Sequence, residues 1–193
     1  MYSAINKNVI DVFNYTPNGN VLNKTRNGQL VLNYGYNAEG QVSEVTDMNN
    51  QRVNYTYDPL GRLKDVLTND KLVASYNYDA DNNVSGINYN SGTNVQYGYD
   101  KDSNILSILS RNKQGNTVDS HSYSYDGNGN KLTATENGQT TSYTYDKLQR
   151  LTHVNYPGKG AEQYRYDDAG NRIEHSVAGV TTSYSYDRNN RLL

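Results

Sequence analysis

Three stretches of the chain space acidic and amide oxygens as calcium loops do: Asp79-x-Asp81-x-Asn83, Asp100-x-Asp102-x-Asn104 and Asp126-x-Asn128-x-Asn130. A hard cation collects oxygen ligands at alternate positions in this way. A helix-flanked calcium loop also needs glycine at its sixth place and glutamate at its twelfth. Those places hold Val84 and Asn90, Ile105 and Arg111, and Lys131 and Asn137. An aspartate that opens a turn more often accepts hydrogen bonds from N–H groups two residues on. Capping, without metal, is therefore the chemistry expected of these carboxylates. Paired carboxylates could also serve glycoside hydrolysis, where their separation decides, but a catalytic site joins unlike residues at one place and these repeat. His121, His153 and His175 lie far apart in the chain, with no Ser or Cys nucleophile signature beside them. No catalytic residue and no cofactor is expected.

The aspartates belong to a larger pattern. Each closes a Tyr-x-Tyr-Asp motif: Tyr55-Thr56-Tyr57-Asp58, Tyr76-Asn77-Tyr78-Asp79, Tyr97-Gly98-Tyr99-Asp100, Tyr123-Ser124-Tyr125-Asp126, Tyr143-Thr144-Tyr145-Asp146, Tyr164-Arg165-Tyr166-Asp167 and Tyr184-Ser185-Tyr186-Asp187. Looser copies, Phe13-Asn14-Tyr15-Thr16 and Tyr34-Gly35-Tyr36-Asn37, carry the register upstream, so that successive copies lie 21, 21, 21, 21, 26, 20, 21 and 20 residues apart. Such a period means one small element stacked many times. Residues 1–12 are a lead-in, part of a preceding strand, and residues 13–193 hold nine repeats in one domain, the last incomplete.

Within one copy, Val53, Tyr55 and Tyr57 alternate with Arg52, Asn54 and Thr56, the period of a strand with one apolar face. Asp58, Pro59 and Gly61 then supply a tight turn; Gly129 and Gly170 take the place of Gly61 in other copies. Asn82, Ser103, Gln149 and Asn190 replace that glycine elsewhere, and those turns are expected to differ in geometry. A second strand follows, and Asn69-Asp70, Asn27-Gly28 and Asn137-Gly138 mark the reversal into the next copy. One repeat is one β-hairpin. The apolar residues of the second strand recur every third position, as in Leu63 and Val66 or Val84 and Ile87. Either a bulge restores the face or this strand touches both sides of the sheet. In two copies Asp126 to Leu132 and Asp167 to Ile173 span one residue more than Asp58 to Leu63, an extra residue expected in the loop. The longer step between Tyr97 and Tyr123 reads as a polar loop insertion around Arg111–Asn116.

Composition agrees with an all-β stack. Aliphatics are sparse, 20 tyrosines replace them, and the formal net charge is only -2. Each tyrosine joins an apolar ring to a hydroxyl that seeks a partner, so the expected core is ring-rich and half wet. The charge gives no footprint for nucleic acid. No apolar run approaches the roughly 18 residues of a spanning helix, so membrane insertion is not expected, and no signal peptide opens the chain. Without cysteine the redox compartment is open. Tyr89 and Tyr156, outside the motif, are the tyrosines most expected to face a ligand.

Tyr57-Asp58-Pro59-Leu60-Gly61-Arg62-Leu63, and Tyr166-Asp167-Asp168-Ala169-Gly170-Asn171-Arg172-Ile173 with its Asn-Arg-Ile, resemble the YD repeats of the RHS (rearrangement hotspot) family over residues 13 to 193. The resemblance implies tandem hairpins wound into a hollow shell, which in bacterial polymorphic toxins and toxin complexes encloses a toxic domain and in animal teneurins serves adhesion. It also implies export, to the extracellular space or cell surface, and partners in the remainder of a larger shell and a cargo domain. The chain is then a piece of shell, a non-enzymatic scaffold; the alternative is a carbohydrate- or cell-surface-binding module. Physics adds a curled or spiral antiparallel sheet, tyrosine side inward. About 18 strands at about 4.8 Å make a strip about 85 Å long, whose single turn is about 27 Å across. That is too narrow for a 100-residue cargo domain of roughly 34 Å. End strands near Phe13 and Leu192 are expected to be open edges that promote self-association.

Overall fold

The computed structural model describes the backbone of residues 2–6 and all of residues 9–193. The chain divides into two compact units, Met1–Asn94 and Val95–Leu193. The first holds strands β1 (Tyr2–Asn6), β2 (Val9–Tyr15), β3 (Val21–Arg26), β4 (Gln29–Tyr36), β5 (Val42–Asp47), β6 (Arg52–Tyr57), β7 (Leu63–Thr68), β8 (Lys71–Tyr78) and β9 (Val84–Tyr89). Strand β10 (Asn94–Tyr99) begins at the boundary. The second unit continues with β11 (Ile105–Arg111), β12 (Thr117–Tyr125), β13 (Lys131–Glu136), β14 (Gln139–Tyr145), β15 (Leu151–Tyr156), β16 (Gly160–Tyr166), β17 (Arg172–Val177) and β18 (Val180–Ser183). From β1 to β9, and from β11 to β18, each strand pairs antiparallel with the next. No helix occurs among the described residues.

A bulge resolves the three-residue step of the second strands. Tyr55 stands opposite Val66, Thr56 opposite Asp65 and Tyr57 opposite Leu63, so that Lys64 is the extra residue. Leu63 and Val66 thereby share the tyrosine face. The same shift recurs at Gly35/Tyr36, Asn77/Tyr78, Ser124/Tyr125, Thr144/Tyr145 and Arg165/Tyr166.

The two copies with an added residue do not lengthen the loop, contrary to expectation. Asp126 N–H donates to Asn130 and Asp167 N–H to Asn171, as Asp58 N–H does to Arg62. Instead Lys131 and Arg172 take the slot of Leu63, opposite Tyr125 and Tyr166, which moves Leu132 and Ile173 one place along the strand. A cation is tolerated there because it lies over a ring: Lys131 Nζ sits 4.5 Å from the Tyr123 centroid and the Arg172 guanidinium 4.9 Å from that of Tyr184.

The turns without glycine also depart from expectation, because they keep the same geometry. Asn82, Ser103, Gln149 and Asn190 adopt φ of 68°, 61°, 62° and 59°, beside 77° for Gly61. The left-handed backbone is imposed by the turn and the side chain bears the strain. At the reversals Asn27-Gly28, Asn69-Asp70 and Asn137-Gly138 have positive φ at both residues, the mark of a type I′ turn. The insertion near Arg111 is a longer hairpin rather than a loose loop, since Arg111 pairs with Thr117 and only residues 112–116 turn. Nor does Phe13 lie on an edge strand: β1 pairs along β2, with Tyr2 opposite Phe13.

Ala74, Ala134 and Val154 are the buried hydrophobic residues among those described. They stand opposite Val66, Tyr123 and Tyr143, in mid-strand on the tyrosine face. The motif tyrosines themselves are half-buried, apart from Tyr15, which is exposed.

Candidate functional surface on the tyrosine face

The two tyrosines of each motif do different things. The second donates its hydroxyl to a backbone carbonyl of the preceding copy: Tyr36 to Val21, Tyr57 to Val42 and Tyr78 to Leu63, each at 2.7 Å. Tyr125 reaches Ile105 at 3.0 Å, Tyr145 Lys131 and Tyr166 Leu151 at 2.9 Å, and Tyr186 Arg172 at 3.0 Å. The accepting residue lies at the bulge, where the strand ladder is disrupted, so the phenol supplies a donor at that carbonyl. The first tyrosines instead face the core residues across the hairpin: Tyr55 with Val66, Tyr76 with Ile87, Tyr123 with Ala134 and Tyr143 with Val154. Tyr97 and Tyr99 lie half-buried on β10, and Tyr184 half-buried just after β18.

The motif aspartates cap their turns. Asp58 Oδ1 accepts from the N–H groups of Leu60 and Arg62 at 2.9 Å each. Asp79, Asp100, Asp126, Asp146 and Asp187 repeat this pair of bonds, and Asp167 accepts from Asn171. The other oxygen takes the side chain four residues on, an arginine in Asp58, Asp146 and Asp187 at 2.7 Å and an asparagine in Asp79, Asp100, Asp126 and Asp167. The hydrogen bonds from Asn104, Asn130 and Asn171 hold Asp100, Asp126 and Asp167 below the usual carboxylate range. For Asp58 and Asp79 burial alone pushes upward, and the backbone and side-chain donors together outweigh it. Among the described residues, no three His, Asp or Glu side chains gather as a metal would need.

The side chain four residues after the aspartate, or after Asn37 in its place, also reaches the next copy. Gln41 donates to the Gly61 carbonyl at 2.7 Å, Arg62 to Asn82 Oδ1 at 2.7 Å, Arg150 to the Asp167 carbonyl at 3.0 Å and Asn171 to Asn190 Oδ1 at 3.0 Å. Arg62 and Arg150 lie 4.3 and 4.7 Å over the rings of Tyr78 and Tyr166 in that copy. Turn is thus tied to turn as well as strand to strand.

One cluster breaks the repetition. Glu162 accepts from the Tyr164 hydroxyl and from His175 Nε2 at 3.0 Å. The Tyr164 and His175 rings stack at 4.7 Å and 3°. Burial and the bond to Glu162 push the Tyr164 phenol up to about 12, while the same bond and His175 lower Glu162. A carboxylate with two donors, held ionised, is a poor general base at neutral pH. His175 joins this cluster, while His121 lies against Asp119 at 2.8 Å and His153 is exposed on β15.

Sequence reasoning passed over the clasp from tyrosine to carbonyl, although a signal was present. The single Phe of the chain stands at the first place of a motif, and the second place is Tyr in all nine copies. A packing role alone would not distinguish the two.

No curated protein matches the chain in sequence. Among solved structures it resembles a Tc holotoxin pore of Photorhabdus luminescens, with a TM-score of 0.77 and 16% identity over 96% of this chain and 12% of that chain. It resembles the TcdB2-TccC3 complex equally in kind, and the same complex without its hypervariable C-terminal region, each with a TM-score of 0.76 and 16% identity over 95% of this chain. At that identity the likeness is one of fold, and this chain spans 12% of the length of those chains. The sequence model of the teneurin YD-shell matches residues 2–193, and the chain belongs to that family.

Proposed function

We propose that the chain is a non-enzymatic scaffold, a stretch of YD-shell wall that encloses a toxin or other cargo domain within a longer, exported protein. The observation that carries this reading is the clasp from second tyrosines to the bulge carbonyl one copy earlier, recorded in seven of the nine copies, Tyr57 to Val42 and its six counterparts. It lets the wall grow by identical steps, and it spends the motif residues on joining copies rather than on a substrate. The likeness to Tc assemblies whose chains are about eight times longer, one of them solved without a hypervariable C-terminal region, supports a wall completed by other repeats around such a region. The test is limited proteolysis of a full-length protein that contains this wall. An internal domain should resist protease until denaturant opens the wall. Digestion of that domain under native conditions, with the wall intact, overturns the enclosure reading.

A further inference from the structure

Tyr156 ends β15 outside the motif, and it stands 38% exposed. Grooves lie on both sides of it. One, about 590 Å³, is lined by Ala134, Glu136, Gln139, Tyr143 and Lys159 among others; the second, about 410 Å³, by Lys159, Gly160, Glu162 and Val177. Local sequence explains the space. Ala134 stands opposite Tyr123, where the corresponding partners of Tyr34, Tyr55, Tyr76 and Tyr143 are Val45, Val66, Ile87 and Val154. Gly160 is the cross-strand partner of Tyr156 itself and has no side chain to cover the ring.

The lining selects among ligands. Glu162 already accepts from Tyr164 and His175, so it has little left for an ammonium ligand, and an anion would meet Glu136 on the rim. Glu136 and Lys159 balance in charge, and Gln139 offers both a donor and an acceptor. Paired donors and acceptors beside an aromatic face suit a sugar, whose hydroxyls do both and whose C–H face packs on a ring. We propose that Tyr156 is the platform of a saccharide site that takes neutral pyranose units of an oligosaccharide across its two grooves.

This inference is independent of enclosure and fails separately from it, since protease protection of a cargo does not depend on Tyr156. The chain itself is titrated with maltotriose, cellotriose and tri-N-acetylchitotriose, followed by saturation-transfer NMR and calorimetry. At least one should bind saturably, with a dissociation constant of about 1 mM, a modest affinity for so open a site. Tyr156→Ala should weaken binding about tenfold or more and Tyr156→Phe far less, because stacking survives loss of the hydroxyl. Ala134→Val should weaken binding by filling the larger groove without removing any contact, and Tyr89→Ala should leave it unchanged. Absence of saturable binding for all three sugars, or binding indifferent to both Tyr156→Ala and Ala134→Val, overturns the assignment.

Discussion

The Tyr57 hydroxyl lies 2.7 Å from the carbonyl oxygen of Val42, fifteen residues earlier in the chain. Val42 faces Tyr36 at a bulge, the same bulge that turns Val42 and Val45 to one side of the sheet. The irregularity that builds the apolar face thus also creates the acceptor, and the next copy brings the donor. A repeat of this kind is only complete when its neighbour is present, which is why the stack rather than the single hairpin is the stable unit.

Tyr57→Phe should therefore cost about 1–2 kcal/mol, the price of leaving a partly buried acceptor without its donor. Tyr55→Phe, which keeps the ring against Val66, should stay within about 0.5 kcal/mol of the parent. Urea unfolding of the two variants decides. Equal losses would show that the hydroxyl of the second tyrosine has no special role.

Much of this was legible beforehand because it is local. The hairpin, the aspartate cap and the Asn-Gly reversal each rest on residues within five positions of one another. What escaped depends on register. Whether Lys131 falls in the loop or over the Tyr123 ring is decided by the pairing of Tyr125 with Lys131, and no local propensity contains that pairing. Likewise Gln149 reads as a foreign residue in a glycine turn, yet the hydrogen bonds of the turn, from Asp146 N–H to Arg150 and from Gln149 N–H to Asp146, hold it at φ 62°. The cluster at Glu162 joins Tyr164 on β16 with His175 on β17, and no motif pairs those positions.

Gln149→Gly should stabilise the chain by about 0.5–1 kcal/mol, since glycine removes left-handed strain of about 1–2 kcal/mol and returns part of it as unfolded-state entropy. Gly61→Ala, at φ 77° and with Gln41 Nε2 3.4 Å from the new Cβ, should destabilise by about 1 kcal/mol or more. The substitution is not general: Asn82 and Asn190 accept side-chain bonds from Arg62 and Asn171, so glycine there loses a clasp. Thermal midpoints for Gln149→Gly below the parent would contradict the account of these turns.

Stability should fall at both ends of the pH scale. The motif aspartates have folded pKa values below their unfolded ones. Their contribution is present above the ordinary carboxylate range, near about 4, and is lost as pH falls through the lower folded values. Burial raises Tyr57, Tyr78 and Tyr145, and Tyr164 reaches about 12. Their contribution is present below about 10 and is lost as pH climbs through the raised values, because a phenolate can no longer donate to a carbonyl or, at Tyr164, to the Glu162 carboxylate. Circular dichroism melts from pH 2 to 12 should show a plateau that drops on each side, and a melting temperature constant from pH 5 down to 2 would rule out the capping contribution.

The reversals allow a sharper test. Asn27, Asn69 and Asn137 each sit seventeen residues after a strand residue and bond to it twice. Their N–H groups donate to the carbonyls of Ile10, Arg52 and Ser120 at 2.9, 2.8 and 2.8 Å. Their Oδ1 atoms accept from the N–H groups of the same residues at 3.0, 2.9 and 2.9 Å. Each asparagine thus stands in for a strand residue against the preceding hairpin. Ala178 occupies this station in the last reversal with φ 49°, and its N–H reaches Ala161 at only 3.3 Å. It has no side-chain acceptor to offer the Ala161 N–H, and alanine tolerates left-handed backbone less well than asparagine. Ala178→Asn should then add one hydrogen bond and relieve strain, raising stability by about 1 kcal/mol, and the Ala161 amide should exchange more slowly with deuterium while amides of the first unit do not change. An unaltered urea midpoint together with unaltered exchange at Ala161 would show that the asparagine bond in the other three reversals is a consequence of the turn and not a support for it.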